Sequence, residues 1–352
     1  MIKRSTPIYA LILTLWMTAF SVKHKSEGTS TAVFDHTFYE GYTTSVNLMV
    51  SDQGIPQYYW AEFHMPICLE NLCNPMDLEV RWDLLGNFMD YVEYEDAPLT
   101  KFDHVPLDAA DHQKLKGIIG NTESILQDYA MTDLIDTSRM VYSKEVDGMT
   151  GATSKTFETE VVSGAVYTCY ALWNVVNGGV KQAMLHYTAG IMDESLRLAM
   201  LKSGNEFYIR HILAEQETHT ASVDWQLFSL IFGENDYLAI QAMQALGVEF
   251  WSQEAAVAKV VEEFDSLKTP LRNAFYAKML TVPLSTASLE EISALLEGNG
   301  SQDRKEIYAI LSQHKKGMSA ALKERLKTYL SRRQQEWQFD DYKIMEELEI
   351  NL

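Results

Sequence analysis

Residues 147–157 read DGMTGATSKTF, a run of small and hydroxyl-bearing residues at the point where the chain changes character. Upstream, apolar and polar residues alternate in places, which is typical of strands. Downstream, apolar residues recur at three- and four-residue steps, which is typical of helices. Side chains this small cannot fill a core, so the run needs another explanation at the point between a mixed first part and a helical second part.

The mixed part contains one clear hairpin signal. In LEVRW (78–82) the side chains of Leu78, Val80 and Trp82 alternate with polar ones, as a half-buried strand requires. Gly86-Asn87 predicts a turn, and FMDYVEY (88–94) continues as the second strand. The other expected elements are short strands at 31–39 and 45–50, a β-rich segment at 58–94, and short helices at 108–135 broken at Gly120-Asn121.

The part after Phe157 is predicted to be helical. Its first helix, 157–176, has one apolar face and ends at Asn177-Gly178-Gly179 in the manner of a glycine cap. This face is formed by Val162, Ala165, Val166, Cys169, Trp173 and Val176. Further candidate helices lie at 181–202, 205–216, 223–232, 236–247, 252–265, 270–280, 288–297, 302–313 and 317–347.

Short amphipathic helices with short breaks between them predict antiparallel helix pairs, with a HEAT-like solenoid as one form of that architecture. The change in composition places a domain boundary near residue 180. The predicted fold class is therefore an α+β domain over 31–180 followed by an all-α domain over 181–352.

Composition and charge restrict the function classes. The chain of 352 residues is 47% hydrophobic and carries a formal net charge of -20, so it can bury a core and is acidic. An acidic protein repels phosphate backbones, which argues against nucleic-acid binding.

The N-terminus predicts export. Lys3 and Arg4 precede the uncharged, largely apolar run IYALILTLWMTAF (8–20), and polar residues follow. This is the pattern of a secretory signal peptide, here residues 1–21 with cleavage after Ser21. We expect an extracytoplasmic location, in the periplasm or on the outer face of the membrane. If the segment stays uncleaved, it would attach the protein to the membrane.

The three cysteines fit an oxidising compartment. Cys68 and Cys73 lie five positions apart and are predicted to form a disulfide. Cys169 lies on the apolar face of a predicted helix and is expected to be a buried free thiol.

The glycine-containing run before a helix has two interpretations from its residues alone. Free backbone N–H groups at a helix N-terminus favour an anion such as phosphate, although the run matches neither nucleotide-binding glycine motif. Alternatively, it is a turn in which Ser154 or Thr156 caps the helix, with Glu158 or Glu160 in the first turn.

Asp147-Gly148-Met149-Thr150-Gly151-Ala152-Thr153 fills every position of D-x-x-[ST]-G-A-[ST]. In this it resembles the FMN-binding domains of the sodium-pumping NADH:quinone reductase and of Rnf electron-transport complexes. In that family a dedicated Mg-dependent flavin transferase cuts FAD and esterifies the FMN phosphate to the last threonine. The resemblance covers one short motif. The CLENLC and KFDH stretches and the helical part do not match the respiratory subunits.

The resemblance implies covalent FMN on Thr153, with Thr156 as an alternative acceptor. The residues that would present or contact the flavin phosphate are Asp147, Gly148, Thr150, Gly151, Ala152 and Ser154. The ester would lie at the start of the predicted 157–176 helix. The isoalloxazine ring needs an apolar slot, for which the candidate side chains are Trp82, Phe88, Tyr91, Tyr167 and Tyr170.

Other chemistry has weaker support. His104 and His112 lie among Asp103, Asp108 and Asp111, but their spacing matches no metal motif, so no metal site and no catalytic residue is predicted. The expected function is extracytoplasmic electron transfer by a flavoprotein, a redox carrier more than an enzyme with its own substrate pocket. Its partners would be a flavin transferase and an unidentified redox protein. The alternative is a helical-repeat interaction scaffold without cofactor.

Overall fold

The predicted hairpin strand 78–82 lies inside a five-stranded antiparallel sheet. The computed structural model describes residues 28–67, 75–101, 104–142, 149–153, 157, 160–215, 219–297 and 303–352. The strands lie side by side in chain order as β1 (Thr29–Thr37), β2 (Thr43–Val50), β3 (Pro56–Met65), β4 (Met76–Trp82) and β5 (Phe88–Glu93). The predicted strands in this part of the chain and the hairpin at Gly86-Asn87 are thereby confirmed.

One face of this sheet is apolar. In β4 every second side chain is buried, and Leu78, Val80 and Trp82 are wholly inaccessible to solvent. Their neighbours on β3 follow the same alternation, since Phe63 pairs with Leu78 and Ala61 with Val80. An antiparallel sheet with one buried and one exposed face needs a covering layer on the buried side.

Helices α1 (Ala109–Gly120), α2 (Val166–Asn177) and α3 (Val180–Ile191) lie next to the sheet. The indole nitrogen of Trp82 donates to the Val176 carbonyl of α2 at 3.3 Å. In α3 the Thr188 hydroxyl donates to the Leu84 carbonyl at 2.6 Å and lies 2.7 Å from the Tyr59 hydroxyl. Buried side chains of the sheet and of the helices belong to one continuous core. The domain boundary near residue 180 stays a prediction.

After the sheet, the described residues are mainly helical, which confirms the predicted order of an α+β part followed by helices. The remaining helices are α4 (Glu194–Lys202), α5 (Glu206–Leu213), α6 (Ala221–Ser229), α7 (Asp236–Ala245), α8 (Val248–Trp251), α9 (Glu254–Glu262), α10 (Thr269–Met279), α11 (Thr286–Ala294), α12 (Arg304–Gln313), α13 (Ala320–Arg332) and α14 (Phe339–Glu347). Helices two or three places apart in this order pack together, such as α5 with α7, α7 with α10, and α12 with α14.

Two predictions of a single helix were wrong, because the structure has two helices in each of these ranges. The helix expected over 181–202 is α3 and α4, since the Asp193 carboxylate accepts from the Leu196 N–H and starts a new helix. The helix expected over 317–347 is α13 and α14, separated at residues 333–338. The apolar pattern alone did not reveal either break.

Gly86 fixes the β4–β5 turn against α3. Its φ is +72°, and a Cβ there would lie 2.9 Å from the Lys181 Cα. We expect Gly86→Ala to lower the free energy of unfolding by about 1–2 kcal/mol for the left-handed backbone and by about 1–3 kcal/mol more for the clash.

Gly54→Ala is the matched control for the turn. Gly54 has a φ of +77°, but a Cβ there would meet no atom within 4 Å, so only the backbone term applies. Hydrogen exchange of the sheet amides in both variants measures the difference. Equal losses would show that the turn does not pack on α3 as described.

Candidate functional site

The last residues of the D-x-x-[ST]-G-A-[ST] pattern, Gly151-Ala152-Thr153, lie in a strand of a small hairpin. Strand β6 (Ile135–Tyr142) pairs antiparallel with β7 (Met149–Thr153), so Thr150, Gly151 and Ala152 are strand residues and Thr153 is the last one. Ile135 is the residue opposite Thr153. The other predicted flavin-contacting residues, Asp147, Gly148, Ser154 and Thr156, lie outside the described residues.

The prediction that a helix starts directly after Phe157 was wrong. Helix α2 begins at Val166, its N-cap is Ala165, and no side chain caps it. Gly164, with a φ of +76°, precedes that cap and cannot continue a right-handed helix. The N-cap of α2 is therefore neither of the two predicted capping residues, Ser154 and Thr156, and Thr153 precedes the first residue of the helix by 13 positions. The apolar residues before Gly164 still join the core, since Val161 and Val162 are buried.

The pairing of β6 with β7 is irregular beside the small residues. Ala152 pairs with Asp136, whereas its neighbour Gly151 pairs with Met140, so β6 bulges between these two pairs. Bulges interrupt the ladder of backbone hydrogen bonds and occur often beside functional sites. A glycine in a strand is typical of a bulge or of close approach by another backbone or a ligand.

Strand β7 is also an edge strand. Within the part of the chain that the structure describes, β6 and β7 form a sheet of their own with two strands. Only one side of β7 is paired in such a sheet. An unpaired strand edge can add a strand from another protein.

Four aromatic residues contact one another and are here called the aromatic cluster: Tyr39, Tyr129, Phe157 and Tyr170. Tyr129 contacts Phe157, with ring centroids 4.8 Å apart. The hydroxyl of Tyr170, in α2, donates to the Tyr129 carbonyl at 2.9 Å. The ring of Tyr39 packs edge-on against Tyr170 at 5.7 Å. The cluster therefore combines residues from four separate segments of the chain.

Burial controls the ionisation of the cluster's phenols. It raises the pKa of Tyr170 above its ordinary value and, together with the charge of Glu40, raises that of Tyr39. Both phenols therefore remain neutral hydrogen-bonding groups at neutral pH.

The five predicted slot residues lie in different surroundings. Trp82 is wholly buried beneath α2, and Tyr91 is buried with its hydroxyl 2.7 Å from Nδ1 of His112. Phe88 and Tyr167 are half-buried and are not part of the aromatic cluster. Of the five candidates, only Tyr170 belongs to the cluster. Tyr39, Tyr129 and Phe157 were not among the predicted slot residues, although Phe157 follows the motif by four positions.

The Asp/His loop has a structural explanation. Asp108 and Asp111 form a capping box at the start of α1, and the Lys101 ammonium lies 2.5 Å from Asp111 and lowers the pKa of that carboxyl. His112 lies 3.4 Å from a Glu93 carboxylate oxygen. Asp103 lies outside the described residues, among which no group of three or more His, Cys, Asp or Glu side chains is arranged to hold a metal ion.

The cysteine predictions have different outcomes. Cys169 is free and buried, as predicted, and burial raises the pKa of its thiol to about 12. Its sulfur accepts a hydrogen bond from the Val162 N–H at 3.2 Å. The predicted Cys68–Cys73 disulfide lies outside the described residues and stays a prediction.

Among the residues that the structure describes, no helix combines the length and the apolar character needed to cross a membrane. The predicted signal segment 1–21 is not among them. Comparisons of the chain with protein-family models, with curated proteins and with solved structures gave no match.

Proposed function

We propose that the protein is an exported flavoprotein that carries FMN as a phosphoester on Thr153 and transfers electrons outside the cytoplasm. One observation carries this proposal. Residues 147–153 fill every position of the D-x-x-[ST]-G-A-[ST] pattern, and the acceptor position is the last residue of an edge strand.

The local backbone supports attachment by another enzyme. A threonine hydroxyl is a weak nucleophile unless a base or metal activates it, so a separate transferase has to perform the reaction. In that reaction the pyrophosphate bond of FAD breaks, a phosphorus–oxygen bond forms to Thr153, and AMP leaves while the hydroxyl proton is lost. Gly151 and Ala152 keep the adjacent strand free of bulky side chains, and the bulge beside them loosens the pairing.

The chemistry of the remaining motif residues fits a phosphate ester. The hydroxyls of Thr150, Ser154 and Thr156 would be donors to phosphate oxygens, and Gly148 has no side chain. Asp147 would present the acceptor strand to the transferase. Thr156 remains the alternative acceptor. Bound FMN would supply the redox chemistry, while the protein would set its environment and access.

The helical part would serve as the docking region for a redox partner. Its consecutive, mutually packed helices are compatible with a HEAT-like array, which presents an extended surface. The net charge of -20 favours a basic partner, because complementary charge accelerates association. No substrate pocket is required for such a carrier.

Intact mass spectrometry tests the proposal. The protein is expressed for export together with a flavin transferase that modifies a known acceptor in the same cells. We expect a mass increase equal to FMN less one water, on the peptide that contains Thr153. An unmodified mass would overturn the proposal and leave the cofactor-free scaffold as the better interpretation.

A further inference from the structure

Two residues of the aromatic cluster lie a few positions from the hairpin, since Tyr129 precedes Ile135 by six positions and Phe157 follows Thr153 by four. The 3-10 helix Met131–Leu134 follows Tyr129 closely and runs directly into Ile135, the residue opposite Thr153. On the other side, Phe157 is four residues beyond Thr153. A chain of four residues spans about 14 Å at most. The ring contact between Tyr129 and Phe157 therefore brings together the two segments that enter and leave the hairpin.

Tyr129 differs from its neighbours in exposure. Its side chain is 42% exposed, whereas Phe157 is 5% and Tyr170 is 9% exposed. Phe157 and Tyr170 are therefore buried beneath Tyr129, whose ring presents a flat aromatic surface to solvent. The hydrogen bond from Tyr170 to the Tyr129 carbonyl fixes the backbone of the exposed residue to α2.

We propose that Tyr129 is the stacking partner of the isoalloxazine ring of FMN carried on Thr153. The proposal rests on the proposed function. A flat heteroaromatic ring stacks readily on an exposed aromatic side chain. Phe157 and Tyr170 hold Tyr129 in place, and the stacked ring keeps its other face open to a redox partner.

Flavin fluorescence tests this contact without any activity assay. Stacking on a tyrosine quenches flavin emission, so the intact flavinylated protein should emit weakly per bound FMN. Proteolysis to the Thr153 peptide should restore emission. If the intact protein and the peptide show equal flavin emission per bound FMN, the flavin ring is free in solvent and the proposal is wrong. This comparison needs no variant.

Tyr129→Ala then identifies the partner. Removing one stacking ring is expected to lower the ratio of stacked to free flavin about fivefold or more, and emission should rise accordingly. Tyr129→Trp should keep the quenching, because indole also stacks on flavin. Tyr237→Ala is the matched control, since Tyr237 is 55% exposed on α7.

The two proposals fail differently. Absence of the FMN mass overturns the proposed function. Full covalent occupancy by mass, with quenching unchanged in Tyr129→Ala, leaves the carrier function standing and overturns Tyr129 as the partner. Emission is therefore compared per covalently bound FMN.

Discussion

Thr153→Ala protein, exported together with an active flavin transferase, is expected to have the mass of the unmodified chain. The reason is chemical, because a phosphoester needs a side-chain hydroxyl and alanine has none. Thr153 is the last residue of β7, so the substitution changes the end of a strand and not its pairing with the rest of β6. Intact mass and the absorbance of bound flavin measure the result.

Two variants make this prediction specific. Thr153→Ser keeps a hydroxyl at the acceptor position and should still carry FMN. Thr156→Ala removes the alternative acceptor and should leave the flavin in place. If Thr156→Ala loses the flavin and Thr153→Ala keeps it, the acceptor assignment is wrong, although the chain would still be a covalent flavoprotein.

Asp341→Ala is expected to give the largest loss of stability in the C-terminal helices. Asp341 in α14 is wholly buried, and its carboxylate accepts from the Tyr308 hydroxyl and the Gln338 N–H, both at 2.8 Å. Guanidinium nitrogens of Arg304 and Arg333 each lie 3.4 Å from it. The alanine variant removes this carboxylate from the buried Arg304, whereas Arg333 still has a Glu336 carboxylate oxygen at 3.7 Å.

Removing one partner of a buried ion pair costs about 3–5 kcal/mol, because the remaining charge is desolvated and uncompensated. A chain of this length need not unfold in one step, so the measurement should be local. Hydrogen exchange of the α12 and α14 amides reports the free energy of opening this region.

Glu346→Ala is the matched control for Asp341→Ala. Glu346 is an exposed acidic residue of the same helix, so its removal changes charge and helix propensity without opening the buried cluster. We expect its effect to stay within about 0.5 kcal/mol. A loss below about 1 kcal/mol in Asp341→Ala would mean that the buried cluster contributes little to this end of the molecule.

Local pattern predicted most elements because their residues face either solvent or core at a regular spacing. The alternation of LEVRW, the Gly86-Asn87 turn and the start of α7 at Asp236 are each encoded within a few residues. The errors occurred where one residue changed the backbone. Gly164 delayed the start of α2, and Asp193 started a new helix inside an apolar pattern.

The sequence by itself determined the candidate acceptor, the order of an α+β part before helices, and the buried state of Cys169. These features depend on residue type and local spacing, which can be read directly from the sequence. Only the tertiary structure decided that Met149–Thr153 form an edge strand opposite a bulge in β6. It also decided that Tyr39, Tyr129, Phe157 and Tyr170 contact one another, and that Asp341 is buried between two arginines. These contacts join residues far apart in sequence, and long-range packing, which no local pattern records, brings them together.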